Sequence, residues 1–226
     1  MRVAVSWSGG KDSCLAYYRA ILRGFNVAYL LNIAVREHGE YRVHGLNPAV
    51  IRAQSQALGI PMIQRQASWE TYENVFKEAV RSLKKLGVEG VVFGDIWLEE
   101  HKEWIDKVCS ELEVAPITPL WKNDPKHILE EFIENGFEAL IVCIRADLLP
   151  KEMLGRKVDE HFLEDLCRFR DSRFVDLCGE FGEYHTLVIN GPVFLKKLRI
   201  LSSRVIWLQP YYWVLNVERW DTVEKK

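Results

Sequence analysis

Short apolar runs and amphipathic helical patterns alternate along the first half of the chain. Arg2–Ser6 has strand character, and Asp12–Gly24 reads as a helix with Leu15, Tyr18, Ala20 and Leu22 apolar and Gly24 at its end. Asn26–Val35 is a second strand. Asn47–Gly59 is a second helix, with Pro48 at its first position and Gly59 as the stop. Pro61–Gln66 follows as a strand. The helix Tyr72–Gly87 carries Val75, Phe76, Ala79, Val80, Leu83 and Leu86 at helical spacings. Gly90–Ile96, the helix His101–Leu112 and a short strand Ala115–Thr118 complete the series. Strands alternating with helices predict a parallel sheet covered on both faces and joined by right-handed crossovers. The expected class is α/β, a five-stranded parallel sheet followed by a smaller α+β domain.

The pattern changes after Trp121. Asp124–Gly136 is helical, with Asp124 as N-cap before Pro125. Ala139–Ile144 is a strand and Glu160–Asp171 a polar helix. From Phe174 the chain turns strand-like through Tyr184–Asn190, a turn at Gly191–Pro192, Arg199–Leu208 and Tyr211–Glu218. The expected domains are 1–121 and 122–226, and the final Val-Glu-Lys-Lys reads as a frayed tail.

Lys and Arg total 30 against 32 Asp and Glu, a net charge of -2. That balance argues against an electrostatic nucleic-acid binder. The most apolar run, Ala28–Val35, is interrupted by Asn32 and too short to span a bilayer. The five cysteines (Cys14, Cys109, Cys143, Cys167, Cys178) are scattered and contain no Cys-x-x-Cys pair. Most of them read as buried thiols, in a reduced, cytoplasmic protein.

The chemistry concentrates at Ser6-Trp7-Ser8-Gly9-Gly10-Lys11-Asp12-Ser13, where the first strand meets the first helix. Two glycines let main-chain N–H groups turn toward an anion. Those groups lie at a helix N-terminus, equivalent to roughly +0.5 charge. The hydroxyls of Ser6, Ser8 and Ser13 add donors, and Lys11 adds a point charge. The composition is that of a phosphate or pyrophosphate cradle, in which Asp12 either caps the helix or faces Mg²⁺. Val5 and Asp12 stand where a Walker A loop needs Gly and Ser or Thr, so it is not one.

Three further places stand out. Gly94-Asp95 ends the fourth strand, where it admits a ligand closely and presents a carboxylate, or is simply a strand-end turn. Pro119-Leu120-Trp121 follows the fifth, with Trp121 as pocket wall or core. Cys178-Gly179-Glu180-Phe181-Gly182-Glu183-Tyr184-His185-Thr186-Leu187 sets two carboxylates three residues apart ahead of a strand and a histidine. Such a cluster binds an ammonium ion, orients a cationic substrate, holds magnesium, or is a polar turn before a hairpin. Arg199–Trp220, with Trp207, Tyr211, Tyr212 and Trp213, reads as core or as a homodimer face.

Ser-Gly-Gly-Lys-Asp-Ser resembles the signature of the PP-loop ATP pyrophosphatases, which implies a sheet of the HUP type and cleavage of ATP between its α- and β-phosphates. With His-Gly-Leu-Asn (His44–Asn47), the stretches around Glu70–Val80 and Gly87–Ile96, Pro119–Trp121, Leu154–Phe162 and Gly179–Val188 followed by Asn190–Pro192, most of the chain resembles the diphthine–ammonia ligase family in its short, archaeal-type form. The resemblance implies ATP and Mg²⁺ as cofactors, ammonium as nitrogen donor, and translation elongation factor 2 carrying diphthine as protein substrate. It implies that Ser6, Ser8, Gly9, Gly10, Lys11 and Ser13 hold phosphates and that Asp12 or Asp95 helps hold Mg²⁺ beside Gly94. Main chain at Ile33–Ala34 then meets adenine, and Glu180, Glu183 and His185 line the acceptor side. Trp97, Trp104 and Trp121 are candidates for the trimethylammonium group of diphthine. The competing readings are a tRNA-modifying PP-loop enzyme, either a thiolase, which usually needs paired cysteines or an iron–sulfur site, or a lysidine-type ligase, and a non-enzymatic adenine-nucleotide-binding module.

Overall fold

The computed structural model describes residues 1–37, 40–41, 46–173 and 175–225. His44 and Gly45 of the His-Gly-Leu-Asn motif, Phe174 and Lys226 lie outside them. Two compact units emerge, one from Met1–Ser8, Asp12–Val43 and Ile60–Lys122, the other from Gly9–Lys11, His44–Gly59 and Asn123–Lys226. No helix among the described residues is long and apolar enough to cross a membrane.

In the first unit the strands are β1 (Arg2–Ser6), β2 (Asn26–Glu37), β3 (Glu40–Tyr41), β4 (Met62–Ala67), β5 (Gly90–Val92) and β6 (Ala115–Ile117). Five of them run parallel in the order β4-β2-β1-β5-β6, and β3 adds a short antiparallel pairing to the end of β2. The expected five-stranded parallel sheet is therefore present. Helix α1 (Lys11–Leu22) follows β1, and α3 (Tyr72–Lys84) and α4 (Glu99–Leu112) follow β4 and β5. Ala4, Leu31, Val91 and Phe93 meet Phe76, Val80 and Leu83 of α3 and Ile105 and Val108 of α4 in one cluster. Burying a side chain of that size contributes about 1.5–3 kcal/mol.

Several boundaries differ from expectation. β5 ends at Val92, not Ile96, and α4 starts at Glu99, two residues earlier, where two glutamates favour a helix N-terminus. α3 stops at Lys84, leaving Leu86 exposed, and Leu22 is exposed at the end of α1. Trp104 is no open aromatic face. It packs on Phe76 at 5.3 Å, and its indole N–H donates to Glu73 at 3.0 Å.

In the second unit, β7 (Glu138–Arg145), β8 (Tyr184–Asn190), β9 (Lys196–Leu208) and β10 (Tyr212–Glu224) form an antiparallel sheet in the order β8-β7-β10-β9. Helices α2 (Pro48–Leu58), α5 (Pro125–Glu134) and α6 (Glu160–Arg173) belong to the same unit. The sequence cues at their ends are used as expected. The side chain of Asn47 accepts from the N–H of Ala49, that of Asp124 accepts from Lys126 and His127, and Gly59 closes α2 in the left-handed region. Of the expected frayed tail, Val223–Lys225 are not frayed. Val223 and Glu224 pair with Lys197 and Lys196 of β9, and an ion pair of 2.6 Å joins Lys196 to Glu224. Of the hairpin aromatics, Trp207 and Tyr211 are exposed, whereas Tyr212 and Trp213 are half-buried.

Glu138 ties this sheet together. It accepts from Asn190 at 2.8 Å, from Lys197 at 2.9 Å and from Lys157 at 3.3 Å. Burial alone raises its carboxyl, but the Asn190 amide and the two ammonium groups outweigh that and hold it down at about 2. A depressed carboxylate adds stability that is full above its unfolded value of 4.5 and is lost as pH falls toward 2. Its side chain is 24% exposed, so the contribution is discounted to about 1–2 kcal/mol. Glu138→Gln is expected to lower neutral-pH stability by that amount. In thermal melts run from pH 7 to 2, the gap to the parent should close below pH ~4.5; a gap constant with pH would refute the assignment.

Candidate active site

In the first unit the parallel strands reverse direction of progression between β1 and β5, the place where open α/β sheets bind ligands. β1 ends at Ser6, opposite Leu31 of β2. The next residue is pinned: the side-chain amide of Asn32 donates to the carbonyl of Trp7 at 2.8 Å, and Gln64 donates to Asn32 at 3.0 Å. The hydroxyls of Ser8 and Ser13 lie 3.1 Å apart. Gly94, two residues past β5, is pressed against the start of α1. A Cβ there would sit 2.8 Å from the carbonyl carbon of Asp12 and from the nitrogen of Ser13. Both are main-chain atoms, so only glycine lets the chain leave β5 at this point. The N–H of Phe93 still donates to the carbonyl of Ile117 at 2.8 Å, one residue past the end of β5.

Ile33 and Ala34 are not at the end of their strand. They pair with Arg65 and Gln66 of β4 and extend beyond the last residue of β1. Asp95 is half-buried, and its Oδ1 lies 3.0 Å from Nδ1 of His101. Among the described residues no group of three or more His, Cys, Asp or Glu is arranged to hold a metal ion. A magnesium ion brought by a nucleotide needs fewer, since it is usually held by one or two carboxylates and substrate phosphates. The donor set of Asp12 with Asp95 is compatible with that.

In the second unit Gly9–Lys11 is gripped from several sides. Gly9 has φ of +86°, and a Cβ on it would meet Cδ1 of Ile51 at 2.5 Å and Oε1 of Gln54 at 2.6 Å. The N–H of Val188 donates to the carbonyl of Gly9 at 3.0 Å. Gln54 donates to the same carbonyl at 2.9 Å and to that of Val188 at 2.6 Å. The N–H of Lys11 donates to the hydroxyl of Thr186 at 2.9 Å. Its buried ammonium donates to the carbonyl of Cys178 and sits 4.7 Å from the centre of the Tyr184 ring.

The Asp176–Tyr184 loop is organised by its own carboxylates. Asp176 accepts from the N–H groups of Cys178 and Glu180 at 2.9 and 3.1 Å. Glu183 is buried, and one oxygen accepts from the N–H of Asp176 at 2.9 Å, the other from that of Phe181 at 3.0 Å. Burial pushes the Glu183 carboxyl up, with these N–H donors opposing it. The hydroxyl of Tyr184 donates to the carbonyl of Leu177 at 2.6 Å. Burial and then the Lys11 ammonium push His185 down to about 4, so its imidazole is neutral at pH 7. Glu180 is half-buried, at the loop's rim.

The expected residues thus fall into two local groups. Lys11, Glu183 and His185 belong to one, through Cys178, Tyr184 and the main chain; Ser8, Asp12, Ser13 and Gly94 belong to the other. Sequence reading missed Gln54, Thr186, Asn32 and His101. For Gln54 a signal existed: it lies on the buried side of α2 with Val50, Ile51, Ala57 and Leu58, where a lone amide needs partners. Cysteine chemistry has little support. Burial raises the thiols of Cys14, Cys109 (to about 11) and Cys143 (to about 12), and all five cysteines are free.

Two family models match the chain, the diphthamide synthase N-terminal domain over residues 1–116 and its C-terminal domain over residues 124–223. A curated relative from Danio rerio named diphthine–ammonia ligase is 26% identical over 227 residues, covering 91% of this chain and 89% of that one. Proteins of the same name from Bos taurus and Homo sapiens are each 27% identical over 230 residues, covering 91% of this chain and 85% of theirs. A solved structure, "The crystal structure of predicted subunit of tRNA methyltransferase from Methanocaldococcus jannaschii DSM", overlays with a TM-score of 0.48 at 16% identity, covering 85% of this chain and 98% of that one. At that distance nothing about function is carried over.

Proposed function

We propose the function of this chain from one premise: it belongs to the diphthamide synthase family, carrying both of the family's domains. The reading is an ATP-dependent ligase that converts diphthine on translation elongation factor 2 to diphthamide with ammonia. The observation that supports it most is the glycine-rich turn before α1, closed on one side by Lys11 and built to receive phosphate oxygens.

The chemistry explains the parts. A carboxylate is a poor electrophile at pH 7, so it needs a leaving group. A diphthine carboxylate oxygen attacks the α-phosphorus of ATP, the bond to the β-phosphate oxygen breaks, and pyrophosphate leaves with the electron pair. Ammonia then attacks the acyl carbon, the C–N bond forms, the acyl C–O bond breaks with its electron pair leaving on AMP, and the nitrogen gives up a proton to solvent. In this reading the N–H groups of Gly9 and Gly10, the hydroxyls of Ser6, Ser8 and Ser13 and the ammonium of Lys11 hold the departing phosphates. Asp12, with Asp95, would hold Mg²⁺, which neutralises phosphate charge. Main chain at Ile33–Ala34 meets adenine. Glu180 attracts ammonium and takes its proton. Glu183 keeps the loop that carries Glu180 in shape, and neutral His185 supports the same side without adding a second positive charge.

The free thiols support a reducing, cytoplasmic setting. The exposed Trp207 and Tyr211 would serve a homodimer, which light scattering in solution tests. The decisive assay is release of pyrophosphate and AMP from ATP and Mg²⁺ with ammonium, with and without elongation factor 2 carrying diphthine. Release that depends on that protein, with a mass loss of about one unit as the OH of the protonated acid gives way to NH₂, is expected. Release that requires tRNA instead, or nucleotide binding with no release under any acceptor, would overturn the reading.

A further inference from the structure

Two buried polar side chains converge on Gly9–Lys11. Gln54 is 0% exposed and Thr186 is 2% exposed. The side-chain amide of Gln54 bridges two carbonyls, of Gly9 at 2.9 Å and of Val188 at 2.6 Å, while the Val188 N–H reaches Gly9 at 3.0 Å. Thr186, two residues earlier on β8, takes the N–H of Lys11 at 2.9 Å. The peptide planes on both sides of Gly10 are thereby fixed by one strand and one helix face. A carbonyl held backward leaves the intervening N–H turned the other way, which is the arrangement an anion-binding turn needs.

We infer that Thr186 and Gln54 are positioning residues for the nucleotide step, holding the peptide planes of Gly9–Lys11 in the orientation from which the turn and the Lys11 ammonium meet departing phosphate. The inference rests on the reading of this turn as phosphate-binding. The hydroxyl of Thr186 acts here, not its methyl group. Serine at that position therefore keeps the function, and valine, with nearly the same shape, loses it.

Thr186→Val and Thr186→Ser are compared with the parent in the full chain. ATP affinity is measured by calorimetry with Mg²⁺, turnover by pyrophosphate release, and folding by thermal melting. Misplacing a reacting group by about an ångström costs up to about 100-fold. Thr186→Val is expected to weaken ATP binding by about tenfold and slow release by about tenfold or more, with the KM for ammonium unchanged. Thr186→Ser should restore both to within about threefold. If Thr186→Val does not fold, Gln54→Leu carries the same test, since leucine suits the apolar neighbours and removes both donors. Parental ATP affinity and turnover in the folded valine or leucine variant would overturn the inference alone, as would equal losses in Thr186→Ser and Thr186→Val. A parent that binds no ATP would overturn the phosphate-loop reading and the inference together.

Discussion

Lys11→Met is expected to slow pyrophosphate release by about 10²–10³-fold, the usual loss when one preorganised donor to developing charge is removed. The ammonium is buried, so its field is screened little by water. Methionine fills nearly the same volume, and the stability cost includes the hydrogen bond to the Cys178 carbonyl, about 1–3 kcal/mol. Arginine should not rescue. Its longer, planar fork spreads over several atoms the charge that lysine places at one point, here on an ammonium that donates to the Cys178 carbonyl. Rapid-quench assays on folded protein read the rate directly, and parental turnover would remove Lys11 from the mechanism.

Glu183→Gln is expected to separate the two half-reactions. Both oxygens of Glu183 accept main-chain N–H groups, from Asp176 and Phe181. An amide keeps one acceptor and sets an NH₂ group against the other N–H. The loop is then destabilised by about 1–3 kcal/mol. Amide formation should fall by about tenfold or more as Glu180 loses its support, with ATP affinity changed by less than about threefold. An equal loss of ATP affinity would move Glu183 to the nucleotide side.

The parts of the fold that were legible are those with local causes. Asn47 with Pro48, Asp124 with Pro125, and Gly59 mark helix ends by capping chemistry that operates within four residues. Periodicity reveals α3, whose buried face is Phe76, Ala79, Val80 and Leu83. The misplaced boundaries have distant causes. Just past the end of β5, Gly94 lies against the first turn of α1, some 80 residues earlier in the chain, a contact no local pattern announces. The charged C-terminus is strand because Lys196 and Lys197 lie opposite it. The site divides the same way. The Ser6–Ser13 turn is recognisable because its glycines, hydroxyls and lysine are contiguous. The braces from Gln54 and Thr186 are not, since nothing local to either residue says which carbonyl or N–H it will meet. Glu183 shows a third case: the residue was visible, but its orientation toward main-chain N–H groups was not.

The grip on Gly9–Lys11 also has a direction in time. Its partners, the carbonyl of Cys178 and the hydroxyl of Thr186, lie 167 and 175 residues downstream. Closing so long a loop carries an entropic cost that contacts near the N-terminus cannot offset. At a synthesis rate of roughly 5–20 residues per second, the turn emerges from the ribosome many seconds before β8 exists to brace it. The bracing of this turn is therefore among the later events of folding. A growing chain that already contains every residue of the Ser6–Ser13 motif but not yet β8 lacks the braces on Gly9–Lys11, so the motif takes its final form only after the distant residues that hold it have been made.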